Sequence, residues 1–268
     1  MAMRRALLVL LLAAAVVVGY VVLRDLQRGY RSTDGATLLR FTLHSHAVGS
    51  DLHEILVRPA RRGSHTLLVL LHGRSSKPSS FLDQQFFDAL AALGPRAPSV
   101  LLLDGGDHSY WHDRRDGHWG TMVLHEAIPA GLARTQARKV AIGGISMGGF
   151  GALELAARQP LRFCAVGAHS PALWESASAT APGAFDDPAD FRRNDLLAAA
   201  KRQALYGSRV WIDVGADDPF RTADVVFAHR LQRQDEQLDF HVWPGGHGGG
   251  YWQRHMAQYL RFYAAACG

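Results

Sequence analysis

The chain has 268 residues, 48% of them hydrophobic and 20% charged, with a formal net charge of +5. That length supports one sizeable buried core, and the balance of residue types excludes a disordered, collagen-like or low-complexity chain. The basic residues are scattered in isolated pairs such as Arg61-Arg62 and Arg114-Arg115, so no basic helix or stripe points to nucleic acid.

In chain order, Arg4 and Arg5 precede an apolar run from Ala6 to Leu23, closed by Arg24, Asp25 and Arg28. As a helix this run reaches roughly 27 Å, enough for a bilayer core. Residues 1–30 therefore read as a signal anchor that tethers an extracytoplasmic domain to the membrane. The alternative is a cleaved signal peptide and a secreted protein. The small-residue site Ala13-Ala14-Ala15 lies in the middle of the run, which favours the anchor.

Residues 31–268 read as one domain. Thr37 to Leu43 and Leu52 to Val57 predict an antiparallel pair of strands. His65 to Leu71 is a nearly continuous apolar run, the pattern of a strand buried on both faces. Helical spacing follows over Phe81 to Leu93, then a short buried strand from Val100 to Leu103. A helix is predicted over Met122 to Arg134 despite Pro129, a strand over Val140 to Ile142, a helix over Phe150 to Arg158 and a strand over Phe163 to Ala168. Ala172 to Gly207, rich in Pro, Asp and Ala, reads as an irregular insertion over the sheet. Val210 to Val214, Ala223 to Gln234, Phe240 to Trp243 and Trp252 to Tyr263 continue the alternation of strand and helix. Such alternation means βαβ units and a mainly parallel sheet covered on both faces, with ligands bound beyond the carboxyl ends of the strands.

The candidate chemistry falls at those ends. Gly144-Ile145-Ser146-Met147-Gly148 follows a predicted strand and opens a helix, the context that a G-x-S-x-G nucleophile elbow needs. A serine hydroxyl requires a base, and the elbow predicts an acid and then a histidine downstream. His247, in Pro244-Gly245-Gly246-His247-Gly248, is the candidate base; Asp217 and Asp218 both qualify as the acid. The oxyanion needs backbone N–H donors. Met147, after the nucleophile, supplies one, and His72-Gly73-Arg74 is placed to offer the Arg74 amide. The loop from Asp107 to Asp113, with Asp116 and His118, carries metal-ligand residue types at no metal spacing and reads as a polar, aromatic rim. Cys164 sits in an apolar run and reads as a small buried hydrophobe. Spacing alone leaves its pairing with Cys267, and the redox compartment, open.

With these residues in place, the chain over about 50–263 resembles the esterase D family of α/β-hydrolases, which includes S-formylglutathione hydrolases, tributyrin-type esterases, feruloyl esterase domains and antigen 85 mycolyltransferases. Its most specific piece is Ile142-Gly143-Gly144-Ile145-Ser146-Met147-Gly148-Gly149-Phe150-Gly151-Ala152-Leu153. Asp104-Gly105-Gly106, Ser109-Tyr110-Trp111 and Glu126-Ala127-Ile128-Pro129 resemble the family's segment before the nucleophile, and His247 with Tyr251-Trp252 its histidine segment. Gly215, Asp218 and Phe220 match the family's G-x-x-D-x-F acid motif, so the resemblance selects Asp218 over Asp217. It also implies Arg74 as the second oxyanion donor. His72-Gly73-Arg74-Ser75-Ser76 departs from the thiol-esterase form, and an export segment fits a cytosolic glutathione reaction poorly.

The expectation is an α/β-hydrolase that cleaves carboxylic esters through an acyl-enzyme on Ser146, with no cofactor and no metal. Its substrate would be a small-molecule, lipid or polysaccharide ester. Two alternatives share the fold. An acyltransferase would pass the acyl group to a sugar or lipid alcohol, and a non-catalytic binding module would typically have lost a triad member.

Overall fold

In a computed structural model of the protein, residues 29–61 and 63–268 are described. The expected signal segment therefore lies almost wholly outside the described residues. Among the described residues, no helix is long and apolar enough to cross a membrane.

The organising element is β3 (Thr66–Leu71), buried along its whole length. Period-2 geometry sends Leu67, Val69 and Leu71 into one apolar layer and Leu68 and Leu70 into the other. The neighbouring strand β4 (Ser99–Leu103) splits in the same way, with Leu101 and Leu103 on one side and Val100 and Leu102 on the other. Both strands thus sit at the centre of a three-layer sandwich.

The remaining strands of the main sheet are β1 (Thr37–Ser45), β2 (Ser50–Arg58), β7 (Lys139–Ile145), β8 (Ala165–His169), β9 (Arg209–Gly215) and β10 (Leu238–Trp243). A separate two-stranded ribbon joins β5 (Asp113–Arg114) to β6 (Gly117–His118). The order across the eight-stranded sheet is β1-β2-β4-β3-β7-β8-β9-β10. β1 pairs with β2 antiparallel from Thr37 opposite Arg58 to Ser45 opposite Ser50, and β2 is antiparallel to β4. All other neighbours are parallel.

One face carries α1 (Gln84–Ala92), with Phe86, Phe87 and Leu90 turned inward. The other face carries a helical run of α2 (Trp119–Thr121), a π-helical stretch (Met122–Ala127) and α3 (Ile128–Ala133). The π geometry has a local cause. Pro129 has no N–H to offer, and the Ile128 N–H reaches back to Val123 O. That face also holds α4 (Met147–Arg158), α5 (Pro188–Arg193), α6 (Leu196–Arg202) and α7 (Arg221–Gln232). The final helix, α8 (Gly249–Ala266), packs beside α1 on the first face through Met256, Tyr259, Leu260 and Tyr263.

Two expectations are corrected. The stretch 172–207 is not wholly irregular, because it contains α5 and α6. Their apolar faces are too short to show a period, but each is capped. The Asp187 carboxylate accepts from Ala189 and Asp190 N–H at 2.8 Å each, and Asp195 accepts from Ala198 N–H at 2.8 Å. Cys164, expected as a small buried hydrophobe with its pairing left open, is only partly buried and forms a disulfide with Cys267 across 103 residues. The bridge ties the start of β8 to the end of α8.

Candidate active site

The carboxyl ends of β3, β7, β9 and β10 open on one edge of the sheet, and the candidate nucleophile, acid, base and oxyanion donors lie in the segments that follow them. Ser146 sits between β7 and α4 with φ 56° and ψ −115°. A non-glycine residue held there costs about 1–3 kcal/mol and persists only where its surroundings enforce it. They do so through the backbone. Ser146 N–H donates to His169 O at 3.0 Å, and Ser146 O accepts from Phe150 N–H at 3.0 Å and Ala172 N–H at 3.1 Å. The flanking glycines are steric requirements. A Cβ on Gly144 would lie 2.3 Å from the Gly148 carbonyl carbon, and one on Gly148 would lie 1.9 Å from Leu71 O.

The elbow raises Ser146 Oγ toward the loop after β10. Ser146 Oγ–H donates to His247 Nε2 at 2.8 Å, and His247 Nδ1–H donates to Asp218 Oδ2 at 2.8 Å. The other oxygen, Asp218 Oδ1, accepts Phe220 N–H at 2.9 Å. The Asp218 side chain is fully buried, whereas the His247 ring keeps 22% of its surface open to the cleft. Phe220 and Trp252 flank the imidazole at ring-centroid distances of 5.1 Å each, which limits its rotation. Asp217 is exposed, and the hydrogen bond to His247 comes from Asp218 instead. Nearby Asp224 is fully buried on α7. Burial, then the charges of Asp218 and Asp213, hold its pKa well above the carboxylate range.

Two candidate amides lie close to the serine in the chain or in the cleft. Met147 N–H heads α4, where the first helical amides have no partner within the helix. Gly73 closes on the elbow, since a Cβ placed on it would lie 3.4 Å from Ser146 Cβ. The next amide, Arg74 N–H, has no hydrogen-bond partner among the described residues. Its loop is held by Ser75 N–H donating to Asp107 O at 2.8 Å and Ser76 N–H donating to Gly73 O at 3.1 Å.

A cleft of about 510 Å³ opens over Ser146. Ile145, Phe81, Tyr110, Phe220 and Trp252 give it apolar and aromatic walls, and Arg74 adds a cation. Tyr110 lies in the loop expected to form an aromatic rim, and Phe220 and Trp252 in the acid and histidine segments; sequence reasoning missed Phe81 and the wall role of Ile145, because nothing local marks an apolar residue as facing a cavity rather than a core. Burial raises the Tyr110 hydroxyl pKa, and the adjacent Arg74 guanidinium works against that shift.

The loop of mixed metal-ligand types is otherwise engaged. His112 Nε2–H donates to Asp190 Oδ2 at 3.0 Å, Asp113 Oδ1 accepts Thr121 N–H at 2.8 Å, and Arg114 donates to His108 O and Gly183 O at 2.8 Å each. These contacts strap the 104–118 loop to the insertion. Burial would raise the Asp190 pKa, but the His112 hydrogen bond leads the effects that lower it to about 2. Among the described residues, no group of three or more His, Cys, Asp or Glu side chains is placed to hold a metal ion.

The Esterase family model, described as "Putative esterase", matches residues 59–263. No curated protein matches the chain significantly. Solved structures with the same fold include a ferulic acid esterase (TM-score 0.76, 20% identity, covering 87% of this chain and 98% of that one). An S-formylglutathione hydrolase from Agrobacterium tumefaciens aligns with TM-score 0.74 and 17% identity over 89% of this chain and 98% of its own. Mycobacterium tuberculosis MPT51 aligns with TM-score 0.65 and 22% identity over 86% and 98%. These structural likenesses carry the fold, an open and mainly parallel α/β-hydrolase sheet. The match to the family model spans most of the chain, in line with the resemblance carried by the elbow motif, and the chain belongs to this esterase family of carboxylic-ester hydrolases.

Proposed function

We propose that Ser146, His247 and Asp218 act as a catalytic triad that cleaves carboxylic esters through an acyl-enzyme. The observation that carries this reading is the unbroken chain of 2.8 Å hydrogen bonds from Ser146 Oγ through His247 to Asp218. As Oγ attacks the ester carbonyl, its proton passes to Nε2. The buried Asp218 carboxylate holds the Nδ1–H tautomer and offsets the imidazolium charge. Met147 and Arg74 N–H receive the oxyanion. The imidazolium then protonates the departing alkoxide, and water repeats the sequence to release the acid.

The test is labelling with a fluorophosphonate probe together with turnover of p-nitrophenyl esters. Wild type should label once per chain, and Ser146→Ala should neither label nor turn over. Asp218→Asn should lower kcat by several orders of magnitude, as tautomer-disrupting changes do elsewhere, and Asp217→Asn should leave it within about threefold of wild type. Turnover by Ser146→Ala would remove the nucleophile, and the reverse order of the aspartates would reassign the acid. An alcohol added to the same assay reports transfer to an alcohol if product partitions to it while water is in excess.

We further propose that residues 1–30 anchor this domain on the extracytoplasmic side of the membrane. The Cys164–Cys267 disulfide supports that side, because such bridges persist in oxidising compartments. Protease accessibility in intact spheroplasts tests the placement; a protected domain would overturn it.

A further inference from the structure

Histidine at position 72 takes no part in the chain of groups described above, yet it is 1% exposed and both ring nitrogens are engaged. Gly105 N–H donates to Nε2 at 3.1 Å. A backbone N–H can only donate, so Nε2 is bare and the ring proton resides on Nδ1. Nδ1–H donates to Gly73 O at 2.8 Å. The two contacts specify the same neutral tautomer, and neither nitrogen is free to act as a base.

The Gly73 carbonyl belongs to the same peptide unit as the Arg74 N–H. A trans peptide is planar, with its C=O and N–H pointing in opposite directions. Ser76 N–H also donates to Gly73 O, at 3.1 Å, and the imidazole adds the shorter, side-chain anchor; holding the carbonyl on one side aims the amide to the other. The restraint matters because Gly73 lacks a Cβ and opposes rotation of that peptide less than other residues would. A flipped peptide would present a carbonyl lone pair, rather than a proton, to a developing negative charge.

We propose that His72 is a positioning residue that aims the Arg74 N–H at the oxyanion by tethering Gly73 O. The inference rests on the proposed acyl-enzyme mechanism and adds to it the group that sets one oxyanion donor. The imidazole is itself fixed. Its ring meets Trp111 edge-on at 5.1 Å, and Trp111 Nε1–H donates to His72 O at 3.1 Å. One residue before Gly105, Asp104 N–H donates to Glu54 Oε2 at 2.7 Å, which holds the strand end that supplies the contact to Nε2. Burial lowers the His72 pKa, consistent with an imidazole that stays neutral as the pH falls.

Two polar variants separate the two ends of the ring. The side-chain amide of His72→Asn places an N–H close to the position of Nδ1 and keeps the tether to Gly73 O. The longer His72→Gln reaches the position of Nε2, keeps a partner for Gly105 and loses the side-chain tether, leaving Gly73 O with the Ser76 N–H alone. Measured on p-nitrophenyl butyrate, His72→Asn should keep kcat within about tenfold of wild type. His72→Gln should lose about 10²-fold, the scale of one oxyanion donor, with KM changed less than about threefold. Phenylboronic acid gives a second readout. Its boron accepts the Ser146 oxygen as the serine proton moves to His247, and the tetrahedral adduct places a boron-bound oxygen where the oxyanion forms. Its inhibition constant should weaken in His72→Gln by about the same factor as kcat and stay near wild type in His72→Asn. Urea midpoints and fluorophosphonate labelling stoichiometry confirm that both variants are folded and carry an intact Ser146. Equal losses in the two variants, the reverse order, or a loss confined to KM would overturn the inference. If Ser146→Ala keeps turnover, the acyl-enzyme mechanism itself fails; if only the Asn and Gln contrast fails, the mechanism stands and the role of His72 does not.

Discussion

Behind the elbow lies a buried carboxylate whose removal should be among the most damaging single changes in the molecule. Asp213, on β9, is fully buried and accepts four hydrogen bonds: His169 Nδ1–H at 2.7 Å and Trp211 Nε1–H at 2.8 Å on Oδ1, Tyr251 O–H at 2.9 Å and Tyr259 O–H at 2.8 Å on Oδ2. Burial, and then the Asp213 charge, raises both tyrosine hydroxyls well above their usual range, so they are obligate donors at neutral pH. Asp213→Asn replaces one acceptor oxygen by an amide NH2. The substituted side chain fits best with its oxygen facing Trp211 and His169, which leaves two buried hydroxyl protons without acceptors. At about 1–3 kcal/mol each, the loss is about 2–6 kcal/mol, a large fraction of the ordinary stability of a domain. Urea unfolding followed by tryptophan fluorescence measures it. The control is Asp239→Asn, which breaks a partly exposed pair with Arg209 at 2.7 Å and should cost under about 1 kcal/mol. An Asp213→Asn protein within about 1 kcal/mol of wild type would refute the reasoning, since the network would then contribute no more than a surface pair.

Two further outcomes follow from buried groups. Burial raises the Glu54 pKa from 4.5 to about 8, against the Asp104 N–H bond that lowers it. The folded state therefore holds a proton that the unfolded chain has released, and stability should fall as pH rises from about 4.5 to 8. Relative to Glu54→Gln, wild type should lose about 1.4 kcal/mol per pH unit across that window; parallel curves for the two proteins would contradict the assignment. The Cys164–Cys267 bridge closes a loop with a sequence separation of 103, for which chain entropy predicts a contribution near 4.7 kcal/mol and measured bridges give about 2–5. Cys164→Ala with Cys267→Ala should lower Tm by roughly 5–15 °C, and a shift under about 2 °C would show that the bridge constrains little.

Much of the fold was legible because it is written locally. The alternation that divides Leu67, Val69 and Leu71 from Leu68 and Leu70 is a property of one strand, and each strand of the parallel sheet carries its own version. The elbow was legible for the same reason. Gly144 and Gly148 are dictated by a turn that spans five residues, and the order of serine, acid and histidine follows the order of strand ends. The short helices at Pro188–Arg193 and Leu196–Arg202 were not legible, because one or two turns cannot display an amphipathic period and their stability comes from Asp caps and from packing.

From the sequence alone one can deduce the βαβ architecture, the nucleophile turn and a small set of candidate partners, because each depends on residues within a few positions of one another. Between the two adjacent aspartates the resemblance to the family's acid motif selects Asp218, and the tertiary structure adds the contact itself; it alone decides that Cys164 meets Cys267 and that His72 braces Gly73 while it receives Gly105. Adjacent residues of one type differ only in direction, and that direction is set by the turn after β9 and by the loop from β10 that closes over it. Contacts made across 33 or 103 positions exist only once the sheet has brought the strand ends together.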